Sequence, residues 1–436
     1  MSERNWGFKT KALHAGTQPD PQTGARALPI YQSSAFVFEN TDDAGNLFAL
    51  QKYGNIYSRI ANPTVAAFEE KIAALEGGLG AVATASGMAA QFLTFAALVG
   101  TGDHVVASSA LYGGTLTQLD VTLRRFGVDT TFITSDKAED FKAAITDKTK
   151  FIYAEMISNP ASQIGDIEAL AKVAHDAGLP LIIDSTVATP YLVRPIEYGA
   201  DIVLHSATKF LGGHGTTLGG VIVESGKFNW GNGKFPTMTE PVASYGGVSW
   251  WENFGEFGFL TKVRSEQLRD IGAALSPMSA FLLVQGVETL PQRMRDHVAN
   301  AKVVAEWLES DSRIDWVKYS GLSSHPHNAR AKKYLPEGPG SVFSFGVKAA
   351  GNLSSRETGE KFINSVQLAS HLANIGDVRT LVIHPGSTTH RQLTDAQLLE
   401  AGVPQDLIRI SVGLEDVEDI LWDLDQALTI ASGKAR

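Results

Sequence analysis

Seven short apolar runs, separated by segments of helical periodicity, constrain this chain more than any other feature. They are Ala81 to Thr84, His104 to Ala107, Thr131 to Thr134, Phe151 to Ala154, Leu181 to Ile183, Ile202 to Leu204 and Val221 to Val223. Runs this short fall below the usual length of a helix, and runs this continuously apolar suit strands buried on both faces. Alternation with helices then predicts a mostly parallel sheet of seven strands in an α/β fold. The first covering helix is well marked: Asn62 suits the N-cap, Pro63 suits the first turn, and Val65, Phe68, Ile72 and Leu75 share one face before Gly77 and Gly78. Ligands of open α/β sheets sit beyond the carboxyl ends of the strands, where Ser86, Asn159, Asp184 and Lys209 all fall.

A chain of 436 residues exceeds one small core and predicts two or three domains. Residues 1–63 hold many loop signals and little periodicity, and read as an arm that wraps a partner. Residues 64–270 carry the sheet. Residues 271–436, with a helix-rich segment from Arg293 to Leu308 and a last helix through Leu421 and Leu428, read as a smaller C-terminal α/β domain. Hydrophobic residues at 44% and 42 glycines fit such an α/β protein rather than a disordered chain.

The chemistry concentrates at two of the strand ends. Asp184 closes the run Leu181-Ile182-Ile183, and Lys209 follows Ile202-Val203-Leu204 within Ser206-Ala207-Thr208-Lys209-Phe210-Leu211-Gly212-Gly213-His214. A lone lysine is ordinarily a surface residue, and Asp184 before Ser185-Thr186 could be a turn former. Together they suit pyridoxal phosphate chemistry: the amine can bind an aldehyde as a Schiff base, and the carboxylate can keep a pyridine nitrogen protonated. Ser206 and Thr208 offer hydroxyls to a phosphate. Thr84-Ala85-Ser86-Gly87-Met88-Ala89 joins a strand to an apolar helix through Phe92, Phe95 and Leu98, so its first-turn amides could face an anion, although Ser86 could equally be a plain N-cap. Tyr112 lies after another strand, where a ring could stack on a flat cofactor or simply pack.

Other classes fit less well. With no cysteine there is no thiolate metal site, disulfide or sulfur nucleophile, and a formal net charge of −10 without basic clusters disfavours nucleic acid or an anionic membrane surface. Met1 to Leu13 has no apolar stretch of signal-peptide length and no later segment is long enough to span a bilayer, so a cytoplasmic location is the expectation. Gly78-Leu79-Gly80-Ala81-Val82-Ala83 fits a dinucleotide fingerprint by letters but precedes its strand instead of following it. Ser206-Ala207-Thr208-Lys209 matches the Ser-x-x-Lys of serine acyl-enzymes, yet the companion Ser-Asp-Asn and Lys-Thr-Gly elements are absent. The histidine pairs His325/His327 and His384/His390 lack nearby acidic or thiolate ligands, so no metal is expected.

With these residues in view the chain resembles the Cys/Met-metabolism family of pyridoxal phosphate enzymes over nearly its whole length. The matching segments are His14-Ala15-Gly16, the stretch from Gly54 through Tyr57, Arg59 and Asn62 to Thr64, the Ser86-Gly87-Met88 turn, the Lys209 segment, and Arg409-Ile410-Ser411-Val412-Gly413-Leu414-Glu415. The resemblance implies a fold type I transferase with pyridoxal 5'-phosphate bound. It implies Lys209 as the Schiff-base lysine, Asp184 as the partner of the pyridine nitrogen and Tyr112 as the stacking tyrosine that assists catalysis. Gly87, Met88, Ser206 and Thr208 then match phosphate contacts, and Tyr57 and Arg59 the pair that reaches the phosphate of a neighbouring subunit's site. Asn159 matches a contact to a cofactor oxygen, Arg409 the clamp on the substrate carboxylate, and Asn374 lies on the substrate side. A homotetramer built from dimers with shared sites is the implied assembly.

Within the family, Asn374-Ile375-Gly376-Asp377-Val378-Arg379-Thr380 stands where cystathionine synthases and lyases usually carry Ser-Leu-Gly followed by Glu-Ser. That difference, the insert Asn229-Trp230-Gly231-Asn232-Gly233-Lys234 and the segment from His384 to His390 resemble the sulfhydrylase branch. Methionine γ-lyases commonly place cysteine after the Tyr-Gly pair, where this chain has Gly114. The branch implies γ-replacement of an acetyl group on homoserine by sulfide. An O-succinyl substrate, cystathionine synthesis, a γ-lyase activity and a non-enzymatic role for the fold are the alternatives.

Overall fold

The structure is a computed structural model that describes residues 5–389, 391, 394, 398 and 402–436. His390 therefore lies outside the described residues. The chain divides into two compact units: Met1–Met156 with Asp166–Thr289, and Ile157–Gly165 with Leu290–Arg436. This division falls between Thr289 and Leu290, where the sequence reading placed its boundary at 270, and residues 1–63 are counted in the first unit.

The first unit is built on a seven-stranded sheet of β1 (Gly80–Thr84), β2 (His104–Ser108), β3 (Asp129–Ile133), β4 (Thr149–Glu155), β5 (Leu181–Asp184), β6 (Ile202–His205) and β7 (Gly220–Glu224), in the order β1-β7-β6-β5-β4-β2-β3. Only β7 runs against its neighbours, so the carboxyl ends of β1, β2, β4, β5 and β6 share one edge. Val105, Val106, Ile152, Ile182, Ile202 and Val203 are fully buried, as two covered faces demand. Two elements differ from the expected runs. The edge strand β3 starts at Asp129, because an edge strand half open to solvent carries a polar alternation rather than an apolar run. The central β4 begins two residues early, at Thr149, and runs to Glu155, which pairs in register with Asp184.

Helix α1 (Pro63–Glu76) is capped as its sequence predicts. The Asn62 side chain accepts from the amides of Thr64 and Val65, and Gly77 ends the helix at φ 74. Phe68, Ile72 and Leu75 are fully buried. Helix α2 (Gly87–Leu98) lays Phe95 on Phe151, stacked at 5.1 Å, and edge-on to Tyr153 at 5.3 Å. These aromatic contacts bind the helix to β4, beneath the edge where the candidate residues sit.

One buried group makes this unit sensitive to pH. Glu224, at the end of β7, is almost wholly buried, accepts a bond from Trp230 Nε1 at 2.8 Å, and keeps its Oε2 without a partner. Burial pushes its carboxyl up to about 8. A carboxyl raised in the fold holds its proton where the unfolded chain has lost it, so stability falls as pH rises from the ordinary carboxylate range toward 8. Glu224→Gln is expected to be stabilised relative to the native protein by roughly 1 kcal/mol or more at pH 8, and by little at pH 5. Denaturant unfolding at the two pH values checks this; parallel losses in both proteins contradict it.

The second unit holds a five-stranded sheet of β8 (Ile314–Lys318), β9 (Val342–Val347), β10 (Ser370–His371), β11 (Leu381–Ile383) and β12 (Leu407–Ser411), in the order β10-β11-β12-β9-β8. Helices α3 (Leu290–Glu309) and α4 (Val417–Ser432) contribute Ala301, Val304, Leu308, Leu424 and Leu428 to a core with Phe343, Phe345, Ile408 and Ile410. Among the described residues no helix is long and apolar enough to cross a membrane.

Candidate active site

The carboxyl edge of the first sheet gathers most of the residues singled out from sequence. Asp184 ends β5 directly beside Leu204 on β6. The turns that follow are bonded to each other: Ser185 N donates to Leu204 O at 2.9 Å and Ser206 N to Thr186 Oγ1 at 2.8 Å. In the segment after β6, Ala207, Phe210 and Leu211 are buried anchors, which leaves Ser206, Thr208 and Lys209 half-buried at the edge. Lys209 N donates to Ser206 O at 3.1 Å, and Thr208 Oγ1 accepts from Gly219 N at 3.0 Å, so the lysine leaves a tight, fixed turn.

Beside it begins α2. Ser86 caps the helix by accepting from Ala89 N at 3.1 Å, which leaves the Gly87 and Met88 amides among the first-turn donors that a helix cannot satisfy internally. A β-carbon at position 87 would stand 2.6 Å from Ser206 Cβ, and one at 220 would stand 2.1 Å from Ser86 O. Glycine at 87 therefore lets the two turns meet, glycine at 220 lets β7 pass close to the Ser86 carbonyl, and the cradle joins unspent amides to the Ser206 hydroxyl and to that of Thr208, which here donates to Gly219 O at 3.2 Å. That donor set suits a phosphate group.

Asp184 is held from below. Its Oδ1 accepts from Thr186 N at 2.9 Å and its Oδ2 from Gln91 Nε2 at 3.2 Å. Gln91, on α2, also lies 3.0 Å from Tyr153 Oη and 3.1 Å from Thr115 Oγ1. Burial, then the charge of Asp184, push the Tyr153 phenol well above its ordinary value, so it stays a protonated donor. None of Gln91, Tyr153 and Thr115 was singled out from sequence. Gln91 did carry a signal, a polar side chain among Ala90, Phe92 and Leu93, and a buried tyrosine hydroxyl requires a partner. Tyr112 follows β2, half exposed, with its amide donating to Glu155 Oε1 at 2.6 Å. Tyr57 and Arg59 are exposed, the guanidinium 5.4 Å from the phenol ring, and take part in none of the hydrogen bonds that link this edge group.

Three further candidates belong to the second unit. Arg409, in the middle of β12, is half-buried and donates to Asn374 O at 3.1 Å. Two residues on, and so on the same face of the strand, Ser411 Oγ accepts from Gly376 N at 3.0 Å. The Asn374–Gly376 loop is thereby fastened over the strand at two points, with the Arg409 guanidinium beneath it. Asn159 precedes Pro160, whose carbonyl accepts from Ser344 Oγ at 2.9 Å, and its Oδ1 is buried without a hydrogen-bond partner. Such an orphaned polar atom is what a bound ligand would satisfy.

A lysine on a fixed turn, a carboxylate oriented from below and a cradle of amides and hydroxyls fit pyridoxal phosphate. The model of the Cys/Met metabolism PLP-dependent enzymes matches residues 9–429, and the chain belongs to that family. Among its relatives, the chain is 49% identical to an O-acetyl-L-homoserine sulfhydrylase from Leptospira meyeri, over 98% of this chain and 97% of the other. It is 52% identical to the sulfhydrylase FUB7 of Fusarium oxysporum over 98% of both chains. A crystal structure from Campylobacter jejuni, described as an O-acetylhomoserine (thiol)-lyase and containing a pyridoxyl-lysine phosphate, superposes with a TM-score of 0.92 at 37% identity, covering 97% of this chain and all of that one.

Proposed function

We propose that this protein is a transferase that replaces the acetyl group of O-acetyl-L-homoserine with sulfide to give L-homocysteine, the step that closes direct sulfhydrylation in methionine biosynthesis. The observation that carries the reading is the meeting of the Lys209 turn, the oriented Asp184 and the Ser86–Gly87 cradle at one sheet edge. Likeness to a sulfhydrylase over 98% of the chain selects the substrate and the branch.

Bound pyridoxal phosphate supplies an aldehyde and an electron-withdrawing ring. The chain does the rest. The Gly87 and Met88 amides with the Ser206 and Thr208 hydroxyls would bind the phosphate, Asp184 would hold a proton at the ring nitrogen, and Asn159 would bind a ring oxygen. Tyr112 would cover the ring face and assist departure of the leaving group. Lys209 is the general base and acid: its amine takes the proton from the substrate Cα, serves Cβ, and returns protons after sulfide has entered. At Cγ the carbon–oxygen bond breaks, acetate leaves with the electron pair, and a carbon–sulfur bond forms. Arg409 would bind the substrate carboxylate through paired N–H donors, steadied by its bond to Asn374 O.

The same reading assigns the N-terminal arm to a neighbouring copy, with Tyr57 and Arg59 completing that copy's phosphate site in a homotetramer of dimers. Val37 and Tyr53, 99% and 77% exposed in the single chain, support an arm that is covered by a partner. Two kinetic experiments test the assignment. A matrix of O-acetylhomoserine, O-succinylhomoserine and O-acetylserine against sulfide, methanethiol and cysteine should give the highest kcat/KM for O-acetylhomoserine with sulfide; product from O-succinylhomoserine with cysteine alone would replace the reading with a cystathionine synthase. Arg409→Lys is expected to raise KM for O-acetylhomoserine about 10- to 100-fold with a smaller change in kcat, since an ammonium cannot reproduce the planar fork. An unchanged KM would remove Arg409 from the carboxylate site.

A further inference from the structure

Gln91 is 4% exposed, yet its amide stands among three acceptors: Asp184 Oδ2 at 3.2 Å, Tyr153 Oη at 3.0 Å and Thr115 Oγ1 at 3.1 Å. An amide nitrogen has two hydrogens and does not accept, so only two of these three contacts can be hydrogen bonds it donates. Thr115 resolves the count, because its hydroxyl also lies 3.2 Å from Gln91 Oε1 and can donate there. The two N–H groups are then assigned to Tyr153 and Asp184. With its oxygen accepting from Gln91, the Tyr153 hydroxyl keeps its own proton, and the Asp184 carboxylate, whose charge and hydrogen bonding help hold that phenol protonated, is the acceptor assigned to it. Every donor in the cluster is thus directed along one path, from Thr115 through Gln91 and Tyr153 to a single carboxylate. Thr186 N supplies a third donor at Oδ1. Glu155, whose charge also acts on Tyr153, accepts from the Tyr112 amide.

We propose that Gln91 and Tyr153 are positioning residues that keep the shared proton on the pyridine nitrogen of the bound cofactor rather than on Asp184. The inference rests on the reading that Asp184 faces that nitrogen. Donors aimed at a carboxylate stabilise its charged form and weaken it as a base. A carboxylate receiving three of them leaves the proton on the ring, where it draws electrons. Without them the proton moves toward Asp184 and the ring withdraws less charge from the nitrogen linked to Lys209, which then holds its own proton to higher pH.

The test is a pH titration of the visible absorbance of the lysine-bound cofactor, with cofactor retention measured on dilution of the holoenzyme, in Gln91→Leu, Tyr153→Phe and Asp184→Asn. Gln91→Leu should move the absorbance midpoint upward by about half a pH unit or more and raise the cofactor dissociation constant roughly fivefold. Tyr153→Phe should shift both in the same direction by less, and it keeps the ring that meets Phe95, so it decides the matter if the leucine variant does not fold. Asp184→Asn should show the largest shift. Native-like titration and retention in both Gln91→Leu and Tyr153→Phe, with Asp184→Asn impaired, would overturn the positioning role and leave the Asp184 reading standing. A native-like Asp184→Asn would overturn that reading itself.

Discussion

Lys209→Ala is expected to lower sulfide-dependent homocysteine formation by at least about 10⁴-fold, with the visible absorbance of the lysine-linked cofactor lost. Two contributions vanish together. On the proposed reading one is the covalent anchor, and the other is the amine that would move protons at the substrate Cα and Cβ. The turn that presents the lysine is fixed by buried neighbours, Ala207, Phe210 and Leu211, and by main-chain bonds within residues 206–213, none of which uses the lysine side chain. The variant should therefore fold and still offer the phosphate cradle. A purified, cofactor-supplemented variant with native circular dichroism and turnover within tenfold of the native enzyme would be incompatible with the assigned role.

Asp184→Ala is expected to cost about 10²- to 10³-fold in kcat/KM and to weaken cofactor binding. The reason differs from that for the lysine. Removing the carboxylate takes away the charge proposed to face the ring nitrogen, and it also strips one N–H of the buried Gln91 amide of its acceptor. Asp184→Asn retains the shape and part of the bonding, so it should bind cofactor better than Asp184→Ala while remaining slow. Steady-state kinetics with cofactor titration separates the two; equal activity in the native protein and Asp184→Ala would dismiss the carboxylate from the site.

The sheet was legible because strands covered on both faces must be apolar throughout, and six of the seven runs fall within or against the observed strands with little change. The edge strand β3 lies two residues earlier at its start and one at its end, since exposure there rewards polar side chains that hide the strand, and β4 likewise begins two residues early, at Thr149. The turn chemistry was equally legible at Asn62, where cap, proline and closing glycine all agree. Less so was the unit boundary: residues 157–165 lie far in sequence from Leu290, and only long-range contacts in the folded chain assign them to the second unit.

In the site, residues with a chemical identity of their own stood out, Lys209 and Asp184 above all. Gln91, Thr115 and Tyr153 did not, because Gln91 and Tyr153 sit inside an apolar helix and strand, Thr115 in the short segment Gly113–Thr117, and each acquires meaning only when the fold brings them to Asp184. Arg409 was visible as a residue, whereas its bond to the Asn374 carbonyl joins positions 35 apart and has no local signature.

The central claim is a covalent bond between the Lys209 side-chain nitrogen and the aldehyde carbon of pyridoxal phosphate. Borohydride reduction of the purified, cofactor-loaded protein converts that bond to a stable amine, and peptide mass mapping locates it. One pyridoxyl phosphate per chain on the peptide containing Lys209 is the predicted result. A reduced protein with no adduct, or with the adduct on another lysine, would contradict it.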